Sequence, residues 1–354
     1  MNKKITFVAA TLGGGGAERV MTGLANEMVT RGHEVTIIVT APTRVDYQLD
    51  ERIRVITLKT DYKNKIVKIW RKLTQLRRIY RTMPEAALIS FMPDVCIYNA
   101  LATLGLPNQV IMSERSAPMC NPDQAYKRKL RTLSYFFADV CVFQTKGAKE
   151  YFPKFIQKSG VIIPNPLMKS MPEVREDERE KCIVIIGRIE LSKNMPMFID
   201  GMELFHREHP EYIAKVFGVG AYKAQMQEMV QQKDLQNVIL FEDFSKNIYE
   251  ELNKAYLYVS TSNYEGLCNS MLEALAMGVP SVVTDCPSGG ARDMVTPYEN
   301  GLLIPVGDSR ALYEGMKEIV ENPELWKKMS RNAQSIREKL EMSKITDAWL
   351  DIMR

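Results

Sequence analysis

Residues 4–30 read KITFVAATLGGGGAERVMTGLANEMVT, and this stretch decides the fold. Its first part is a short apolar run of the kind that forms a buried strand. Its last part spaces Val20, Leu24 and Met28 along one face of a helix. Glycines 13–16 join the two parts in a tight turn. A strand that runs through a turn directly into a helix is typical of parallel α/β sheets.

The same alternation continues through the first half of the chain and restarts in the second. Short apolar runs predict six further strands in the first half, at 34–40, 53–58, 87–91, 108–113, 139–144 and 160–164. Six more are predicted at 182–187, 213–218, 237–241, 256–260, 280–284 and 301–304. Between the two sets, prolines in 161–174 and charged residues in 176–181 mark a linker.

This pattern predicts an α/β protein with two Rossmann-like, doubly wound domains that face each other across a cleft. We place the N-terminal domain at 1–164 and the second domain at 165–335. A C-terminal helix over 336–354 is expected to pack back toward the N-terminal domain. No repeat of short period interrupts this organisation.

Composition narrows the function classes. The chain has 354 residues, of which 45% are hydrophobic and 25% charged, and this balance excludes a disordered protein. The N-terminal apolar run is too short for a signal peptide or a membrane helix, and six cysteines without a CxxC pair predict a reduced cytosolic protein. Residues 1–164 hold 25 Lys/Arg against 13 Asp/Glu, whereas 165–354 hold 22 against 30. The first half is therefore expected to face something anionic.

The glycine turn is a candidate anion site, because glycines allow close approach and a helix start offers N–H groups. It does not satisfy G-x-G-x-x-G, since the third glycine would fall on Glu18 or Arg19. A nicotinamide dinucleotide site is therefore disfavoured. The alternative is a tight turn that binds nothing.

Three features follow predicted strands of the second half, at the edge where α/β sheets bind ligands. Arg188 and Lys193 could clamp a diphosphate, the alternative being two solvated surface charges. Glu265 falls in a turn, and Glu273 lies in the next helix, whose N–H groups near Asn269 and Ser270 suit an anion. Ser270-x-x-Glu273 is also a capping box, which gives that glutamate a structural alternative. The third feature is the turn CPSGG at 286–290.

The ordered set GGGGAERV, RGHEV, GRIELSKN, EGLCNSMLEALAMGVP and CPSGGARDM resembles the retaining glycosyltransferases of family 4, which have the two-domain GT-B fold. The resemblance extends over essentially the whole chain, and it is strongest to members that build lipid-linked glycans in bacteria, including N-acetylgalactosamine transferases. It implies that Arg188 and Lys193 contact the donor diphosphate, that Glu265 lies by the donor sugar and that Glu273 bonds the ribose. The implied donor site also contains Gly15, Gly16, Gly266, Leu267, Cys268, Asn269 and Ser270.

Two features of the sequence concern chemistry, and the first of them departs from the family pattern. Many members carry a histidine after the fifth strand, where this sequence has Glu114 and Arg115. We therefore expect Glu114 to position or deprotonate an acceptor hydroxyl, and Arg115, with Gly14, to contact the acceptor. The chain also lacks any D-x-D pair, so no metal and no cofactor is expected. Arg188, Lys193 and the helix start would then stabilise the diphosphate.

Residues 63–81 form a basic amphipathic segment with eight Lys/Arg and no acid. Such a helix is typical of proteins that bind an anionic lipid surface, with Lys68 and Trp70 among its contacts. Arg77, Arg78 and Arg81 cluster at one end and are expected to grip a lipid diphosphate. The alternative is a core-facing helix with a solvated outer side, and nucleic acid is disfavoured because no nucleic-acid module is present.

Together these features predict a retaining, metal-independent hexosyltransferase. It would move a hexose or N-acetylhexosamine, including GalNAc, from a UDP-sugar to a polyprenyl-diphosphate-linked or other lipid-linked glycan. Its expected location is the cytoplasm, peripherally associated with the inner face of the plasma membrane. A sugar-nucleotide epimerase of the same architecture is the alternative enzyme, and a nucleotide- or lipid-binding module is the non-enzymatic one.

Overall fold

The computed structural model describes residues 2–42, 45–169, 171–175, 179–243, 245 and 247–354. Contacts divide the chain into an N-terminal unit, Met1–Met168 with Leu340–Arg354, and a C-terminal unit, Lys169–Lys339. The boundaries thus lie after residues 168 and 339, four residues later in each case than the expected boundaries after 164 and 335. The acidic part of the predicted linker begins with 176–178, which lie outside the described residues.

The N-terminal unit contains a parallel sheet of seven strands in the order β3-β2-β1-β4-β5-β6-β7. The strands are β1 (Lys4–Ala9), β2 (Glu34–Val39), β3 (Arg54–Thr57), β4 (Ala87–Phe91), β5 (Val110–Glu114), β6 (Val140–Phe143) and β7 (Gly160–Ile162). All seven predicted strands of this half are present. Their apolar side chains are buried on both faces of the central strands, as continuous rather than alternating apolar runs require.

Helices connect these strands. They are α1 (Gly16–Thr30), α2 (Lys65–Arg81), α3 (Pro93–Thr103), α4 (Ala125–Tyr135), α5 (Lys146–Glu150) and α6 (Lys154–Lys158). Helices α2, α3 and α4 are successive neighbours, with α3 packed against both of the others. The three helices therefore form one layer beside the sheet.

The C-terminal unit repeats the arrangement with six parallel strands in the order β10-β9-β8-β11-β12-β13. The strands are β8 (Glu180–Ile186), β9 (Ile213–Phe217), β10 (Ile239–Glu242), β11 (Ala255–Ser260), β12 (Ser281–Thr284) and β13 (Gly301–Ile304). The helices are α7 (Met195–Glu208), α8 (Lys223–Gln232), α9 (Ile248–Lys254), α10 (Asn269–Ala276), α11 (Ser309–Val320), α12 (Pro323–Ala333) and α13 (Ile336–Lys339). All six predicted strands are again present.

The last helix, α14 (Met342–Asp351), belongs to the N-terminal unit and packs against α1. Its Trp349 is fully buried, with its ring 5.7 Å from that of Phe91. Lys3 Nζ donates to the Met353 carbonyl at 2.7 Å. The single C-terminal helix expected over 336–354 is therefore two helices, because α13 stays with the C-terminal unit.

In both sheets the strand order reverses beside the first strand, between β1 and β4 and between β8 and β11. Ligands of doubly wound sheets bind at this switch point, outside the carboxyl ends of the strands. The glycine turn follows β1, and the segments with Arg188, Lys193 and Glu265 follow β8 and β11. The fold thus places these predicted site residues at the edge where binding is expected.

Candidate active site

Two adjoining depressions lie at the switch point of the C-terminal unit, with empty volumes of about 250 and 270 Å³. Both depressions are lined by Ser260, the last residue of β11, and by Ser262 in the loop that follows. The first is also lined by Arg188 and Lys193 and the second by Glu265, among other residues. A cationic pair borders the first depression and a carboxylate the second, on walls that also contain apolar side chains such as Val216 and Met271.

Lys193 and Glu265 form an ion pair at this region, between Nζ and Oε2. The two side chains are 19% and 28% exposed, so both charges are largely shielded from water. Burial alone would lower the pKa of Lys193, but the adjacent Glu265 charge raises it, and the ammonium stays charged at neutral pH. Ser262 Oγ also donates to Glu265 Oε2, at 3.2 Å. The pair is a fixed cation and a fixed anion beside a cavity.

Hydrogen bonds between two loops hold this pair in place. Thr261 Oγ1 donates to the Lys193 carbonyl at 2.9 Å, and the Asn263 backbone N–H donates to the Ser192 carbonyl at 2.8 Å. Asn194 Nδ2 donates to Asn263 Oδ1 at 3.0 Å. Sequence reasoning missed these residues, although the polar run 260–263 directly after an apolar strand was the pattern that could have identified them.

The CPSGG turn supports Glu265 from the other side. Ser288 Oγ donates to the Glu265 carbonyl. A Cβ on Gly290 would stand 2.0 Å from the Gly266 carbonyl oxygen, a separation that no larger residue tolerates. The turn is therefore packed directly against the segment that carries Glu265.

Arg188 is placed differently from Lys193. It lines the same depression, but its side chain is 73% exposed and its Nη1 lies 3.1 Å from Glu190 Oε1. The structure therefore brings Lys193 and Glu265 together and leaves Arg188 at the rim, in a weak surface ion pair.

Helix α10 begins at Asn269, and Cys268 is its N-cap residue, without a side-chain cap. Ser270 therefore lies inside the helix, and its hydroxyl donates to the Ile186 carbonyl at 3.1 Å. The capping-box alternative, which needs Ser270 at the N-cap, is wrong. Glu273 is 4% exposed and accepts a hydrogen bond from the Tyr249 hydroxyl at 3.2 Å. Gly266 and Cys268 line the second depression at the start of this helix, next to Leu267.

The glycine turn of the N-terminal unit has a defined conformation. Gly14 has φ +51°, which favours glycine, and the Gly15 amide donates to the Gly13 carbonyl at 2.8 Å. Helix α1 begins at Gly16. The Glu18 carboxylate lies against the turn, where a Cβ on Gly15 would meet it at 1.9 Å. The first turn of α1 thus already carries a negative charge near its positive end.

The position of Glu114 contradicts its predicted catalytic role. Its side chain has no exposed surface, so an acceptor hydroxyl has no access to the carboxylate. Arg131 Nη1 lies 3.2 Å from Oε2, and the Ser116 hydroxyl donates to Oε1 at 2.7 Å. The Tyr135 hydroxyl donates to Glu114 Oε2 at 3.4 Å. Glu114 therefore holds α4 against the end of β5 through a buried ion pair.

Arg115 is also mostly enclosed, with 8% of its surface exposed. Its Nη2 donates to Asn165 Oδ1 at 2.5 Å, and its guanidinium carbon stands 4.7 Å from the Phe91 ring centroid. Burial lowers the pKa of this guanidinium. The contact with an acceptor predicted for Arg115 stays a prediction.

The basic helix α2 is exposed at its start and packed at its end. Ile66 and Trp70 are 78% and 58% exposed, whereas Leu76 and Tyr80 are buried. The core-facing alternative therefore applies only to the second half of the helix. Lys68, in the first half, is partly buried.

The three arginines at the end of α2 do not share one role. Arg77 Nη1 donates to the Ala102 and Leu104 carbonyls, at 3.1 and 2.7 Å, and so caps the end of α3. Arg78 and Arg81 are exposed. Arg77 is therefore engaged with α3, and the predicted grip on a lipid diphosphate by Arg78 and Arg81 stays a prediction. Within the described residues, no helix is both long enough and apolar enough to cross a membrane.

Comparison with protein families matches both halves of the chain. The family described as Glycosyltransferase Family 4 matches residues 14–167. The family described as Glycosyl transferases group 1 matches residues 168–336. The two matches meet at 167/168, next to the boundary between the structural units.

Two curated relatives from Campylobacter jejuni align along nearly their full length. The first, GalNAc-α-(1→4)-GalNAc-α-(1→3)-diNAcBac-PP-undecaprenol α-1,4-N-acetyl-D-galactosaminyltransferase, is 28% identical over 99% of this chain and 98% of its own. The second, N-acetylgalactosamine-N,N′-diacetylbacillosaminyl-diphospho-undecaprenol 4-α-N-acetylgalactosaminyltransferase, is 23% identical over 94% of both chains.

Solved structures share the fold over the same extent. Sucrose-phosphate synthase from Thermosynechococcus elongatus superposes with a TM-score of 0.85 at 16% identity, over 99% of this chain and 98% of its own. TarM of Staphylococcus aureus, as a point mutant bound to fondaparinux, α-GlcNAc-glycerol and UDP, superposes with a TM-score of 0.82 at 14% identity. The match covers 99% of this chain and 100% of the TarM chain. At these identities the likeness establishes the two-domain GT-B fold.

Proposed function

Since this chain belongs to family 4 of the glycosyltransferases, we propose that it transfers a hexose or N-acetylhexosamine from a UDP-sugar to a polyprenyl-diphosphate-linked glycan. The names of the two Campylobacter relatives support this choice of acceptor, because both describe undecaprenol-linked glycans and N-acetylgalactosamine transfer. N-acetylgalactosamine is accordingly the first donor sugar to test. The relatives give the epimerase alternative no support, since they are transferases.

The observation that carries the proposal is the shielded Lys193–Glu265 pair at the cavities of the C-terminal unit. In the proposed reaction, the bond between the sugar C1 and the diphosphate oxygen breaks, and its electrons go to the diphosphate. A shielded ammonium next to that oxygen lowers the energy of the developing charge. Arg188, at the rim, provides a second cation that can turn from Glu190 to a phosphate.

We further propose that the acceptor hydroxyl attacks from the face that the diphosphate leaves, which retains the anomeric configuration. The hydroxyl proton then passes to the departing diphosphate oxygen, so no protein carboxylate has to remove it. The burial of Glu114 agrees with this route, because the residue predicted as the base does not reach solvent.

Transfer without a metal is part of the proposal. The sequence has no D-x-D pair, and Lys193 supplies a positive charge at the candidate donor site. Turnover should persist in excess EDTA. A complete loss with EDTA that Mg²⁺ or Mn²⁺ restores would overturn this part and leave the transfer itself intact.

A membrane-embedded acceptor requires the enzyme to reach the bilayer. We propose that α2, with seven Lys/Arg and no acid over 65–81, approaches an anionic leaflet, and that the enzyme acts on the cytoplasmic side. The exposed Trp70, 58% accessible, suits the interface, and Lys68 lies two residues before it in the helix.

The test mixes purified protein with extracted membrane lipids and a panel of labelled UDP- and GDP-sugars. Label entering the organic phase from one donor supports the proposal and identifies the sugar. A donor converted to its epimer in the aqueous phase would move the protein to the epimerase class. The Lys193→Gln variant is the control and should transfer little label, because it removes the charge while the carbonyl of residue 193 can still accept from Thr261.

A further inference from the structure

Helix α4 is oriented with its polar side inward. The residues that it buries are Arg131, Ser134 and Tyr135, and Arg131 is paired with Glu114. Its outward positions include three large apolar side chains at helical spacing, Tyr126, Leu130 and Leu133, which are 60%, 47% and 60% exposed, with the exposed Lys129 among them. A surface helix of a water-soluble protein ordinarily has the opposite arrangement. The outward side of α4 therefore has the composition of a covered surface.

The apolar stripe continues past the end of α4 into an aromatic cluster. Phe136 and Phe137 are 64% and 43% exposed, and Phe155 of α6 is 52% exposed. The Phe136 ring lies 5.5 Å from Phe137 and 5.8 Å from Phe155, in edge-to-face geometry. The three rings hold one another in place at the surface. We define the aromatic face as Tyr126, Leu130, Leu133, Phe136, Phe137 and Phe155.

Exposed apolar side chains are concentrated in the N-terminal unit. Of the twenty exposed large hydrophobic residues among those described, sixteen lie in this unit and four in the C-terminal unit, although the units are similar in length. The first half of α2 and the end of α3, in the same helix layer, contribute six of them. Such concentration marks an interaction surface rather than the ordinary scatter of surface residues.

The charges around the aromatic face indicate what covers it. Residues 126–158 hold eight Lys/Arg and two Asp/Glu, and seven of these cations remain when the buried Arg131, paired with Glu114, is left out. Lys129 and Lys154 are exposed beside the apolar stripe and the aromatic cluster. Apolar side chains flanked by cations fit the region of a bilayer where anionic headgroups meet the acyl chains.

We propose that the aromatic face inserts into the headgroup region of an anionic bilayer and is the apolar anchor of this protein. The choice of a bilayer as the partner rests on the proposed function, because a lipid-linked acceptor requires the enzyme to bind membranes. The role differs from that of α2, which contributes mainly cations that attract the leaflet at a distance, together with the exposed Trp70. The aromatic face contributes apolar burial, which salt does not screen.

The experiment measures flotation with vesicles of phosphatidylcholine, with and without 30% phosphatidylglycerol, in the absence of any sugar substrate. The variant Leu133→Gln/Phe136→Gln should bind the anionic vesicles about tenfold more weakly than wild type, because interfacial binding scales with buried apolar area. The swap Leu133→Phe/Phe136→Leu keeps the apolar area and should bind like wild type. The double variant Ile162→Gln/Val306→Gln should also bind like wild type, because both exposed apolar residues lie outside the helix layer.

A second measurement does not depend on loss of binding. A Leu133→Trp variant should be quenched by brominated lipids in anionic vesicles more strongly than wild type, whose Trp70 is already exposed. Unchanged flotation of the Gln pair, or no added quenching, would overturn the proposal. So would a wild-type dimer in solution that the Gln pair converts to a monomer, since a second copy would then be the occupant.

These outcomes are separable from failure of the proposed function. Vesicle binding is measured without turnover, and transfer to a short-chain, water-soluble acceptor is measured without vesicles. Weakened flotation of the Gln pair with wild-type transfer to the soluble acceptor is the expected result. Flotation that depends on the aromatic face, in a protein that transfers no sugar, would support the membrane anchor and refute the transferase proposal.

Discussion

Glu114 and Arg131 form an ion pair inside the N-terminal unit, with 3.2 Å between Oε2 and Nη1 and no exposed surface on either side chain. The guanidinium also donates to the Asn121 and Pro118 carbonyls, at 2.7 and 3.0 Å. The pair thus connects the end of β5, the following loop and α4. It is a structural element at a position where the sequence predicted a catalytic one.

Substitution of Glu114 should therefore affect stability more than chemistry. Glu114→Gln leaves Arg131 buried without its counter-charge, and we expect the free energy of unfolding to fall by about 3–5 kcal/mol. Urea unfolding measures this loss, with the exposed Glu150→Gln as a control that should change little. Wild-type stability together with abolished turnover would restore the catalytic role.

Substitution of Glu265, the anionic partner of Lys193, should have opposite effects on UDP binding and on turnover. In Glu265→Gln the ammonium loses its anionic partner, so UDP should bind about tenfold more tightly, as a hydrogen bond to a charged group is worth about 1.5–3 kcal/mol. Turnover should fall, because Glu265 lies by the donor sugar in the family pattern. Calorimetric titration with UDP and initial rates measure the two effects.

Two further variants test whether the effect on UDP affinity comes from the Lys193–Glu265 pair itself or from any change of charge near the depression. Glu190→Gln removes an equal charge at the rim and should change UDP affinity less, because its partner Arg188 is exposed. Lys193→Gln should lower the rate on the order of 10²–10³-fold. Weaker UDP binding by Glu265→Gln would contradict the assignment of Lys193 to the diphosphate.

The arginines of α2 should divide into two phenotypes. Arg78→Glu/Arg81→Glu should weaken turnover of a lipid-linked acceptor while UDP affinity stays unchanged, because both side chains are exposed on the basic helix. Arg77→Ala should lower the thermal midpoint instead, since it removes the cap on the last carbonyls of α3. Equal loss of acceptor turnover and donor binding in the double variant would rule out a role in lipid recognition.

Thiol reactivity should report the burial of the cysteines. Burial raises the pKa of Cys96 and Cys141 to about 12 and that of Cys182 and Cys286 to about 11. At pH 8 these thiols stay protonated, so a disulfide reagent should modify the half-buried Cys120 first and the buried thiols only in urea.

The same shifts set the sign of a pH dependence. Unfolded thiols ionise near pH 9, below the folded pKa values of 11–12, so protons leave the unfolded chain first. The free energy of unfolding should therefore fall as the pH rises above about 9. Equally fast reaction of all six thiols in the native protein would contradict the burial.

Periodicity was enough to predict the sheets. Every predicted strand is present because continuous Val/Ile runs between helical stretches have few other ways to be buried than a parallel sheet. The residues at the strand ends were predicted by position, and Lys193 and Glu265 do lie together although 72 residues separate them. A switch point places the ends of β8 and β11 side by side, which makes that contact predictable.

The roles of the misassigned residues depend on partners that are distant in sequence, so the sequence pattern does not identify those partners. Glu114 is polar at the end of a strand, which suggests a site, and Arg131 is one cation in the run KRKLR, which suggests a surface. Only the fold brings them together in the interior. Arg77 is likewise one of several cations on α2, and its contact with α3 depends on how two helices pack.

The return of α14 to the N-terminal unit has a consequence for synthesis on the ribosome. Most of the N-terminal unit precedes the C-terminal unit in the chain, but the layer that α14 adds against α1, with Trp349 beside Phe91, does not form until α14 has left the exit tunnel. The C-terminal unit is continuous in sequence and can close earlier. The unit that is translated first is thus the unit that is completed last, because α1 lacks its partner helix until α14 is synthesised.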